Sequence, residues 1–573
     1  MLAQLNSEVL KKIVDFALEA ASPNNAVAAM LYGPYAGGYA DEKTAISVLL
    51  VTDSDKISLK YQFKRLDSGR IRFLIVDRGA FERDVRSEWL GGIFADNLLT
   101  PYEPLVNKEY LWSQDVRFKK SIVEKALNNL VLGFPEMSRN FMIKPEYFMF
   151  EAITRRGALF PPIVYRFLNI ARDNLRERNY SLMMMGFKAA INELINENKI
   201  YVSEDLLRIN EENISTLQEK RKYRLINLFK SARSGITRYV LSVFPGVMDS
   251  FLEDYRIYRV YSAENRELGE PSQILGDPKK YILIPTPSGV ISFSDRVTIE
   301  DFMRRNLSER HALEHTIRRL SGVLNAVYLL RFAQNGSEEK IVAKVFKDWY
   351  GWKWFPIALW ALGTRGFAVL GRTRLEKEYA LNMFLSSHGI NVPKIIYISP
   401  EEKIIFQEYI DGVSASKIIK DLCGEMDKDK KGKMLEAIRR IGHEIARIHK
   451  LNISLGDCKP ENVILTNDGR IFFVDLEQAE RGGDKSWDIA EFLCYAGHYA
   501  SFSPVKVAET ITREFLSGYL EAGGEIRNVK RSLSPRYLKV FSFFTPPHTL
   551  LIIVNTCRKM LETKTYNVAD NIN

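Results

Sequence analysis

A short polar loop followed by an apolar strand constrains this chain more than any other part of its sequence. The loop LGDCKPENVIL (455–465) follows a helical stretch and precedes the strand IFFVDLE (471–477). Three side chains with oxygen ligands, Asp457, Asn462 and Asp475, stand in the loop and near the end of the strand. Residues of these types are also common in ordinary turns. The pattern therefore indicates either a turn between a helix and a hairpin or a site built from carboxylates.

The spacing of these side chains is typical of phosphoryl transfer. That reaction needs a carboxylate to orient the attacking hydroxyl and oxygen ligands to hold Mg²⁺ against the phosphates. Asp457 and Asn462 have the spacing D-x-x-x-x-N, and Asp475 stands where a magnesium-binding aspartate is expected. Lys459 is close enough to neutralise charge on the transferred phosphate. We therefore expect Asp457 and Lys459 to be catalytic, Asn462 and Asp475 to bind Mg²⁺, and ATP to be the phosphate donor.

Two upstream features support a nucleotide site. Lys344 lies on a predicted strand, IVAKVF, in the manner of the V-A-I-K motif, where a buried lysine contacts phosphates and needs a carboxylate partner. Glu378 on the following predicted helix is the first candidate for that partner, and Glu376 is the alternative. The segment RLSGVLNAVYLL (319–330) has one glycine, Gly322, where a turn covering the phosphates is expected. Lys344, Glu378 and Gly322 are therefore the predicted ATP-binding residues.

Residues from about 318 to 500 resemble the atypical protein kinases of the RIO type and the small KEOPS-complex kinase. The stretches that carry the resemblance are GVLNAVY (322–328), RTRLEKEYALNMFLSSHGINVPKI (372–395) and IARIHKLNISLGDCKPENVIL (445–465). The resemblance implies a bilobal protein-kinase-like fold in which Lys344 pairs with Glu378. It also implies the catalytic and magnesium-binding roles given above to the loop and strand residues.

The sequence departs from typical kinases around the same loop. Leu455 and Gly456 stand where typical kinases have His and Arg, and Glu477 is part of the replacement for the usual Phe-Gly. Asp488, which resembles the helix aspartate that braces the catalytic loop, follows Asp475 by only 13 residues. We therefore expect activity that is not switched by phosphorylation of an activation loop.

The N-terminal segment GPYAGGYADEKTAISVLLV (33–51) resembles the glycine turn and following strand of the nucleotidyltransferase superfamily. The positions aligned with the pattern G-S…D-x-D are Pro34, Ala45 and Ser47. Alanine and serine cannot supply the charge that two-metal catalysis requires. We therefore expect a degenerate, inactive nucleotidyltransferase-like unit. The acidic side chains nearby that could act as substitutes are Asp41, Glu42 and Asp77.

The 573 residues exceed what one hydrophobic core supports, so we expect an α+β multidomain protein. A stretch rich in Asn, Gly, Pro and Ser after residue 262 is typical of a domain boundary. Beyond it, a small β-rich part precedes a helical part. The predicted domains are a degenerate nucleotidyltransferase-like domain (1–112), a helical or winged-helix-like domain (113–262) and an atypical protein-kinase-like domain (281–573).

The composition of the chain indicates in which environment the protein works. Neither an apolar run of roughly 18 residues nor a secretory signal pattern is present, so we expect a cytoplasmic protein without a membrane partner. The four cysteines are too widely spaced for a zinc motif. Few glutamines beside many Lys, Arg and Glu are typical of thermophilic proteins and favour a thermophilic or archaeal source.

Several partners stay open at this point. A protein acceptor at serine or threonine is favoured, with a small-molecule kinase of the aminoglycoside phosphotransferase type as the alternative within enzymes. A scaffold that binds ATP, or a nucleic-acid adaptor, is the alternative outside them. The net charge of +10 arises from 81 basic and 71 acidic residues, so a nucleic-acid partner rests mainly on the basic stretch 220–238. The tryptophan-rich segment 347–367 is read as local packing.

Overall fold

The structure is a computed structural model in two compact units, Met1–Ile284 and Pro285–Asn573. The residues that it describes are 5, 7–54, 59–66, 69–89, 91–159, 163–224, 236–265, 276–306, 315–321, 325–334, 337–348, 368, 370–500 and 505–570. The predicted ATP-binding Gly322 lies outside them, as do most of the tryptophan-rich segment and part of the basic stretch.

The first unit begins with a five-stranded mixed sheet in the order β3-β4-β2-β1-β5. Its elements are α1 (Ser7–Ala21), β1 (Asn25–Tyr32), α2 (Pro34–Gly37), β2 (Ile46–Asp53), β3 (Leu59–Leu66), β4 (Gly69–Asp77), α3 (Arg78–Ser87), α4 (Asp96–Leu99) and β5 (Glu103–Val106). Strands β2 and β4 are parallel, and the other neighbouring pairs are antiparallel. Helix α1 packs the apolar side chains Ile13 and Ala17 into the same core as the sheet.

Two apolar stretches of the sequence, 45–51 and 71–77, form most of β2 and β4. Both are almost continuously buried, which explains their unbroken apolar sequence. Strand β1 was not predicted from the sequence. It reads NAVAAMLY, and alanine is depleted in strands, so its β character comes from its position between β2 and β5.

The remainder of the first unit is mainly helical. It comprises α5 (Lys108–Gly133), a 3₁₀ turn (Met137–Asn140), β6 (Met142–Ile143), α6 (Glu146–Leu159), α7 (Ile163–Ile170), α8 (Asp173–Asn196), β7 (Ile200–Ser203), β8 (Leu206–Ile209), α9 (Glu211–Arg224), α10 (Ile236–Glu264), a 3₁₀ turn (Pro278–Tyr281) and β9 (Ile282–Thr286). Strands β7 and β8 form a hairpin after α8, and β6 pairs with both β8 and the start of β9. The short sequence IYV (200–202) therefore lies in one arm of this hairpin.

The second unit begins with an antiparallel sheet in the order β11-β12-β13-β15-β14. The elements of this part are β10 (Gly289–Ser292), α11 (Ile299–Asn306), β11 (His315–Ser321), β12 (Ala326–Gln334), β13 (Ser337–Val345), α12 (Gly371–Ser387), β14 (Ile395–Ser399) and β15 (Ile404–Glu408). Helix α11 packs Phe302 against Phe406 of β15, with the two rings stacked 4.0 Å apart between centroids.

Helices dominate the rest of the second unit. Its elements are β16 (Val413–Ser414), α13 (Ala415–Gly424), α14 (Lys428–Lys450), β17 (Ile453–Ser454), a 3₁₀ turn (Pro460–Asn462), β18 (Val463–Leu465), β19 (Ile471–Phe473), β20 (Glu480–Arg481), α15 (Lys485–Tyr499), α16 (Val505–Glu521), α17 (Ile526–Ser532), α18 (Pro535–Phe541) and α19 (Pro547–Asp570). The predicted order of a β-rich part before a helical part is confirmed.

Two glycines allow α14 and α16 to approach each other closely. A methyl group added at Gly442 of α14 would collide with the carbonyl oxygen of Phe515, and one added at Gly518 of α16 would collide with that of Arg439. A larger residue at either position would therefore separate the helices and disturb the core beneath the loop 455–465. Within the described residues, no helix has both the length and the hydropathy needed to cross a membrane.

Candidate active site

The side chains of Lys344 and Glu378 meet in the second unit. Lys344 lies on β13, in the middle of the sheet, opposite Ile405 of β15. Its Nζ is 2.7 Å from Oε1 of Glu378 on α12, and both side chains are buried, with 7% and 1% of their surface exposed. Glu376, the alternative candidate, is also buried, but Lys344 forms its ion pair with Glu378. The predicted strand and helix thus bring the two charges together.

Asp475 approaches the same lysine from the other part of the unit. It follows β19 and adopts a left-handed backbone conformation with φ of +67°. Its Oδ1 is 3.4 Å from Nζ of Lys344, and its side chain is 31% exposed. Burial lowers the pKa of Lys344, but Asp475 and Glu378 raise it by more, so the net pKa shift is upward. The lysine therefore keeps its positive charge between two carboxylates.

The loop residues Asp457, Lys459 and Asn462 form a second cluster. Nζ of Lys459 lies 2.9 Å from Oδ2 of Asp457, and Nδ2 of Asn462 donates to the same oxygen at 3.0 Å and to the Asp457 carbonyl at 2.9 Å. Burial lowers the pKa of Lys459, but Asp457 together with the more distant Asp475 and Glu491 raises it by more. Within the described chain, no hydrogen bond reaches Oδ1 of Asp457. The loop thus holds one oxygen of the carboxylate and leaves the other without a hydrogen bond among the described residues.

The loop is hydrogen-bonded to the segment that joins β19 to Asp475. The N–H of Val474 donates to the Asn462 carbonyl oxygen at 2.9 Å, and β18 and β19 pair directly beyond these residues. Asn462 and Asp475 therefore lie near the same end of one hairpin. This relationship could not be read from their spacing alone, because it depends on the register of the hairpin.

Asp488 of α15 braces the start of the loop. Its two carboxylate oxygens accept the N–H groups of Leu455 and Gly456, each at 2.7 Å, and Nε2 of His449 lies 3.0 Å from Oδ2. Nδ1 of His449 in turn lies 2.9 Å from the hydroxyl of Tyr519. Gly456 has φ of +75°, which is costly for most other residues, so glycine suits this bend. The resemblance of Asp488 to a bracing aspartate is matched by these contacts.

A second carboxylate of α15 supports the next turn of the loop. Oε2 of Glu491 accepts the N–H of Cys458 at 2.7 Å and the indole N–H of Trp487 at 3.0 Å. Burial raises the pKa of the Cys458 thiol well above its ordinary value, so this cysteine is not a thiolate nucleophile at neutral pH. Glu491 was not predicted from the sequence, although it lies three residues after Asp488 and so near it on the helix.

A buried polar network, which the sequence did not predict, borders the Lys344–Glu378 pair. Arg374, with none of its surface exposed, donates to Oδ1 of Asn325 at 2.6 Å and lies 3.3 Å from the carboxylate of Glu477. Asn325 Nδ2 also donates to Glu477. Burial and the nearby Asp475 raise the pKa of Glu477 to about 7 despite Arg374. The available signal was helical spacing, because Arg374 lies four residues before Glu378 and so on the same side of α12.

A side-chain amide fixes one end of the tryptophan-rich segment. The carboxamide of Gln478 accepts the N–H of Ala368 at 3.0 Å and donates to its carbonyl oxygen at 3.3 Å. Asp348, at the other end of the segment, accepts the N–H of Gly371 at 2.7 Å and lies 2.8 Å from Nζ of Lys403. Both ends of the segment are therefore attached to the described part of the unit.

The residues predicted to bind Mg²⁺ have suitable donor atoms. The amide nitrogen of Asn462 is used by Asp457, which leaves its amide oxygen as a potential ligand, and Asp475 supplies a partly exposed carboxylate. Mg²⁺ is commonly held by one or two protein oxygens together with substrate phosphates and waters. No group of three or more His, Cys, Asp or Glu side chains suited to a metal ion occurs among the described residues. The donor set fits a magnesium ion bound with ATP better than a closed protein cage.

The positions aligned with nucleotidyltransferase carboxylates lie together in the first unit. Ser47 of β2 is paired with Arg72 of β4, and Arg72 forms an ion pair with Glu253 of α10. The N–H of Ala45 donates to the same glutamate at 3.0 Å. A buried guanidinium thus occupies the strand position beside Ser47, and it repels a metal ion instead of binding one.

The acidic side chains considered as substitutes have other contacts. Asp41 forms an ion pair of 2.7 Å with Arg256, whose hydrogen bonds lower the pKa of Asp41 to about 2. Oδ1 of Asp77 accepts the N–H of Ala80 at 2.8 Å and caps α3. These contacts give both carboxylates a structural role.

Comparison with known proteins finds a family profile that matches part of the second unit. Residues 338–492 match the profile of the lipopolysaccharide kinase (Kdo/WaaP) family. The matched range contains the Lys344–Glu378 pair, the loop 455–465 and Asp475. The C-terminal half thus contains a kinase-family region, and this supports a phosphotransferase that uses ATP.

Three curated proteins have distant similarity to this region. The chain is 27% identical over 163 residues to the KEOPS complex subunit Bud32 of Pyrococcus abyssi, covering 27% of this chain and 67% of the relative. It is 29% identical over 158 residues to an EKC/KEOPS complex subunit of Schizosaccharomyces pombe, covering 27% and 63%. It is 29% identical over 164 residues to a probable serine/threonine-protein kinase BUD32 homolog of Archaeoglobus fulgidus, covering 28% and 73%.

These matches confirm the expected resemblance to the small KEOPS-complex kinase. The chain covers somewhat less than two thirds of the fission yeast relative and only about two thirds to three quarters of the other two. The resemblance to RIO kinases and the nucleotidyltransferase-like character of the N-terminal part stay predictions.

Proposed function

We propose that the second unit is a magnesium-dependent ATP phosphotransferase that uses Asp457 as its catalytic base. One observation carries the proposal: Nζ of Lys344 lies 2.7 Å from Glu378 and 3.4 Å from Asp475. These three side chains come from a sheet, a helix and a distant hairpin, and their convergence is what phosphate binding by a lysine beside a metal ligand requires.

The residues of the chain divide the work of phosphoryl transfer. Lys344, held in place by Glu378, binds phosphate oxygens of ATP. Asp457 orients the acceptor hydroxyl through its available oxygen and receives its proton. Lys459, 2.9 Å from Asp457, neutralises charge on the transferred phosphoryl group. Asn462 and Asp475 are the residues that would hold Mg²⁺, and the ion would supply charge neutralisation at the phosphates.

The favoured acceptor is a serine or threonine hydroxyl in a protein. The name of the Archaeoglobus fulgidus relative as a probable serine/threonine-protein kinase supports this choice. The run Lys459-Pro460-Glu461 after the proposed catalytic aspartate also favours it. In addition, the loop begins with Leu455, whereas small-molecule kinases of the aminoglycoside phosphotransferase type usually begin it with His. Lys459, the first residue of the run, contacts Asp457, where an acceptor must approach.

A small-molecule acceptor is the second candidate. The match to the lipopolysaccharide kinase (Kdo/WaaP) family favours it, because the printed name refers to a sugar-containing lipid and not to a protein. Both candidates use the same phosphate donor and the same catalytic aspartate. They differ only in the compound that carries the hydroxyl.

The test is incubation of the full chain with labelled ATP and Mg²⁺, with Asp457→Asn as the inactive variant and Asp468→Asn as the matched control. Asp468 lies on the turn of the same β18–β19 hairpin and is 54% exposed. We expect label transfer by the wild type and by Asp468→Asn and none by Asp457→Asn. Transfer that persists in Asp457→Asn would contradict the proposal.

The acceptor is identified by separate reactions. One contains a protein extract, and the other contains a protein-free extract of sugars and lipids. Label in serine or threonine supports the protein acceptor, and label only in the protein-free extract supports the second candidate. ATP binding without transfer to any acceptor, to the chain itself or to water would favour a scaffold that binds ATP.

A further inference from the structure

A cavity in the first unit combines aromatic walls with positive charge. Its volume is about 360 Å³, within the range of roughly 300–1,000 Å³ that is usual for small-molecule sites. It is bordered by α6, the start of α8, α10 and the 3₁₀ turn before β9. This cavity belongs to the part of the chain for which the kinase-family match gives no function.

The aromatic wall contains a flat pair of rings. Phe150 and Tyr281 stack with centroids 4.9 Å apart and an angle of 9° between their planes, and Tyr180 meets Phe150 edge to face at 5.6 Å. Tyr258 and Tyr261 of α10 also line the cavity. Aromatic faces of this kind stack planar ligands, and a stacked nucleobase contributes roughly 1–3 kcal/mol.

Positive charge lines the same cavity. Arg172, Arg176 and Lys280 border it, whereas Asp173 is the one carboxylate among its lining residues. Asp173 forms an ion pair with Arg176 at the exposed edge. Nζ of Lys280 lies 5.1 Å from the centroid of the Tyr281 ring, beside the stacked pair. The cations thus exceed the carboxylates in the lining.

Arg172 is the most informative of these cations. Its guanidinium lies 4.0 Å from the centroid of the Tyr261 ring and donates to the side chain of Asn169 and the carbonyl oxygen of Ile257. No carboxylate oxygen in the described part of the chain lies within ion-pair distance of it, and its buried Nε has no hydrogen-bond partner there. Burial lowers the pKa of Arg172, and the more distant carboxylates of Glu264 and Asp41 offset this only in part. A bound anion at ion-pair distance would remove the remaining cost of burying the charge.

We infer that this cavity binds a nucleoside phosphate, with the base against the aromatic wall and the phosphate at Arg172. An anion alone would need no stack of rings, and an uncharged ring system would leave Arg172 without an anionic partner. A ligand with both properties matches the whole lining. The ligand has two sources: a free mononucleotide, or the terminal nucleotide of a single strand of nucleic acid.

The test uses calorimetric titration of the full chain with AMP, without ATP or Mg²⁺, and compares ribose 5-phosphate and adenosine as partial ligands. We expect AMP to bind at least about tenfold more tightly than either partial ligand. Ribose 5-phosphate binding as well as AMP would overturn the inference, because the aromatic wall would then contribute nothing. Adenosine binding as well as AMP would overturn it for the corresponding reason at Arg172.

Four variants assign AMP binding to this cavity. Arg172→Gln should weaken it at least about tenfold and Lys280→Gln about threefold, whereas Lys188→Gln, an exposed charge elsewhere on α8, should not change it. Lys344→Met should also keep it, because that lysine belongs to the phosphotransferase site.

AMP binding lost in Lys344→Met but kept in Arg172→Gln would overturn the inference. If Arg172→Gln does not fold, the exposed Lys280→Gln still decides, and unchanged binding there overturns it.

The source of the nucleotide is found with a 5′-phosphorylated pentaadenylate. Tighter binding than AMP, again weakened by Lys280→Gln, identifies the end of a strand. Equal or weaker binding identifies a free nucleotide. Either result supports the inference, and neither depends on the proposed phosphotransfer activity. Failure of one of the two proposals is therefore separable from failure of the other.

Discussion

Nζ of Lys344 lies 2.7 Å from Oε1 of Glu378, although the two residues are 34 positions apart and both are buried. Removing one partner of such a pair leaves an uncompensated charge, at a cost of roughly 3–5 kcal/mol. We therefore expect Lys344→Met to lower the free energy of unfolding substantially and the double variant Lys344→Met with Glu378→Gln to recover part of the loss. Urea unfolding of both proteins measures this, and a double variant less stable than the single one would contradict it.

The backbone conformation of Asp475 determines which substitution best tests its role. Its φ of +67° favours Asn or Asp over Ala, so Asp475→Asn removes the charge with less backbone strain than Asp475→Ala. We expect Asp475→Asn to lower the rate of phosphotransfer at least about a hundredfold, because a ligand charge at a phosphate-bound metal contributes several kcal/mol. Initial rates measure the effect, and thermal unfolding checks that the fold is kept. Unchanged labelling by a folded variant would disprove the assignment.

Asp488 is expected to act by positioning the catalytic loop. Asp488→Asn leaves one acceptor oxygen for two backbone N–H groups and directs an amide N–H towards one of them. We expect kcat to fall roughly tenfold while the KM for ATP stays within about twofold, because the Lys344 pair lies elsewhere in the site. Steady-state kinetics separates the two constants. An equal change in both would indicate general disruption.

Activity should not depend on phosphorylation between Asp475 and Asp488. In this short stretch β20 pairs with β17, and Asp484 caps α15 through the N–H of Ser486. Gly456 stands where a typical kinase has the arginine that receives an activating phosphate. We expect the initial rate to be the same before and after phosphatase treatment. A loss of activity that is restored by phosphorylation in this stretch would show that the prediction is wrong.

The first unit is expected to lack nucleotidyl transfer. Ser47 is paired with Arg72, and Asp41 is held by Arg256. Among the described residues of this unit, these contacts leave no group of carboxylates that could hold two metal ions. Incubation of Asp475→Asn with labelled nucleoside triphosphates should give no incorporation into an acceptor. Incorporation that is then removed by Asp41→Asn or Asp77→Asn would contradict this prediction.

The sequence was most informative where chemistry restricts the residue type. The pairing of Lys344 with Glu378 and the position of Asp475 directly after a strand followed from short motifs, because a buried lysine requires a carboxylate and a metal requires oxygen ligands. The contact between Asp475 and Lys344 was not predicted. The network of Arg374 and Glu477 was missed, since charged residues usually face solvent and only tertiary packing shows that these two are buried. Strand β1 was missed because alanine carries little β preference of its own.

The hairpin formed by β18 and β19 also bears on how the site assembles during folding. Asp457, Asn462 and Asp475 come from one continuous segment, and closing so short a loop costs little chain entropy. The contact of Lys344 with Asp475 joins residues 131 positions apart and can form only when the sheet docks on the helical part. The side chains proposed to be catalytic and to bind Mg²⁺ can therefore be arranged early by local contacts. The contact between Lys344 and Asp475 is therefore expected to form later, so the proposed phosphate site would be complete only once the two parts of this unit have docked.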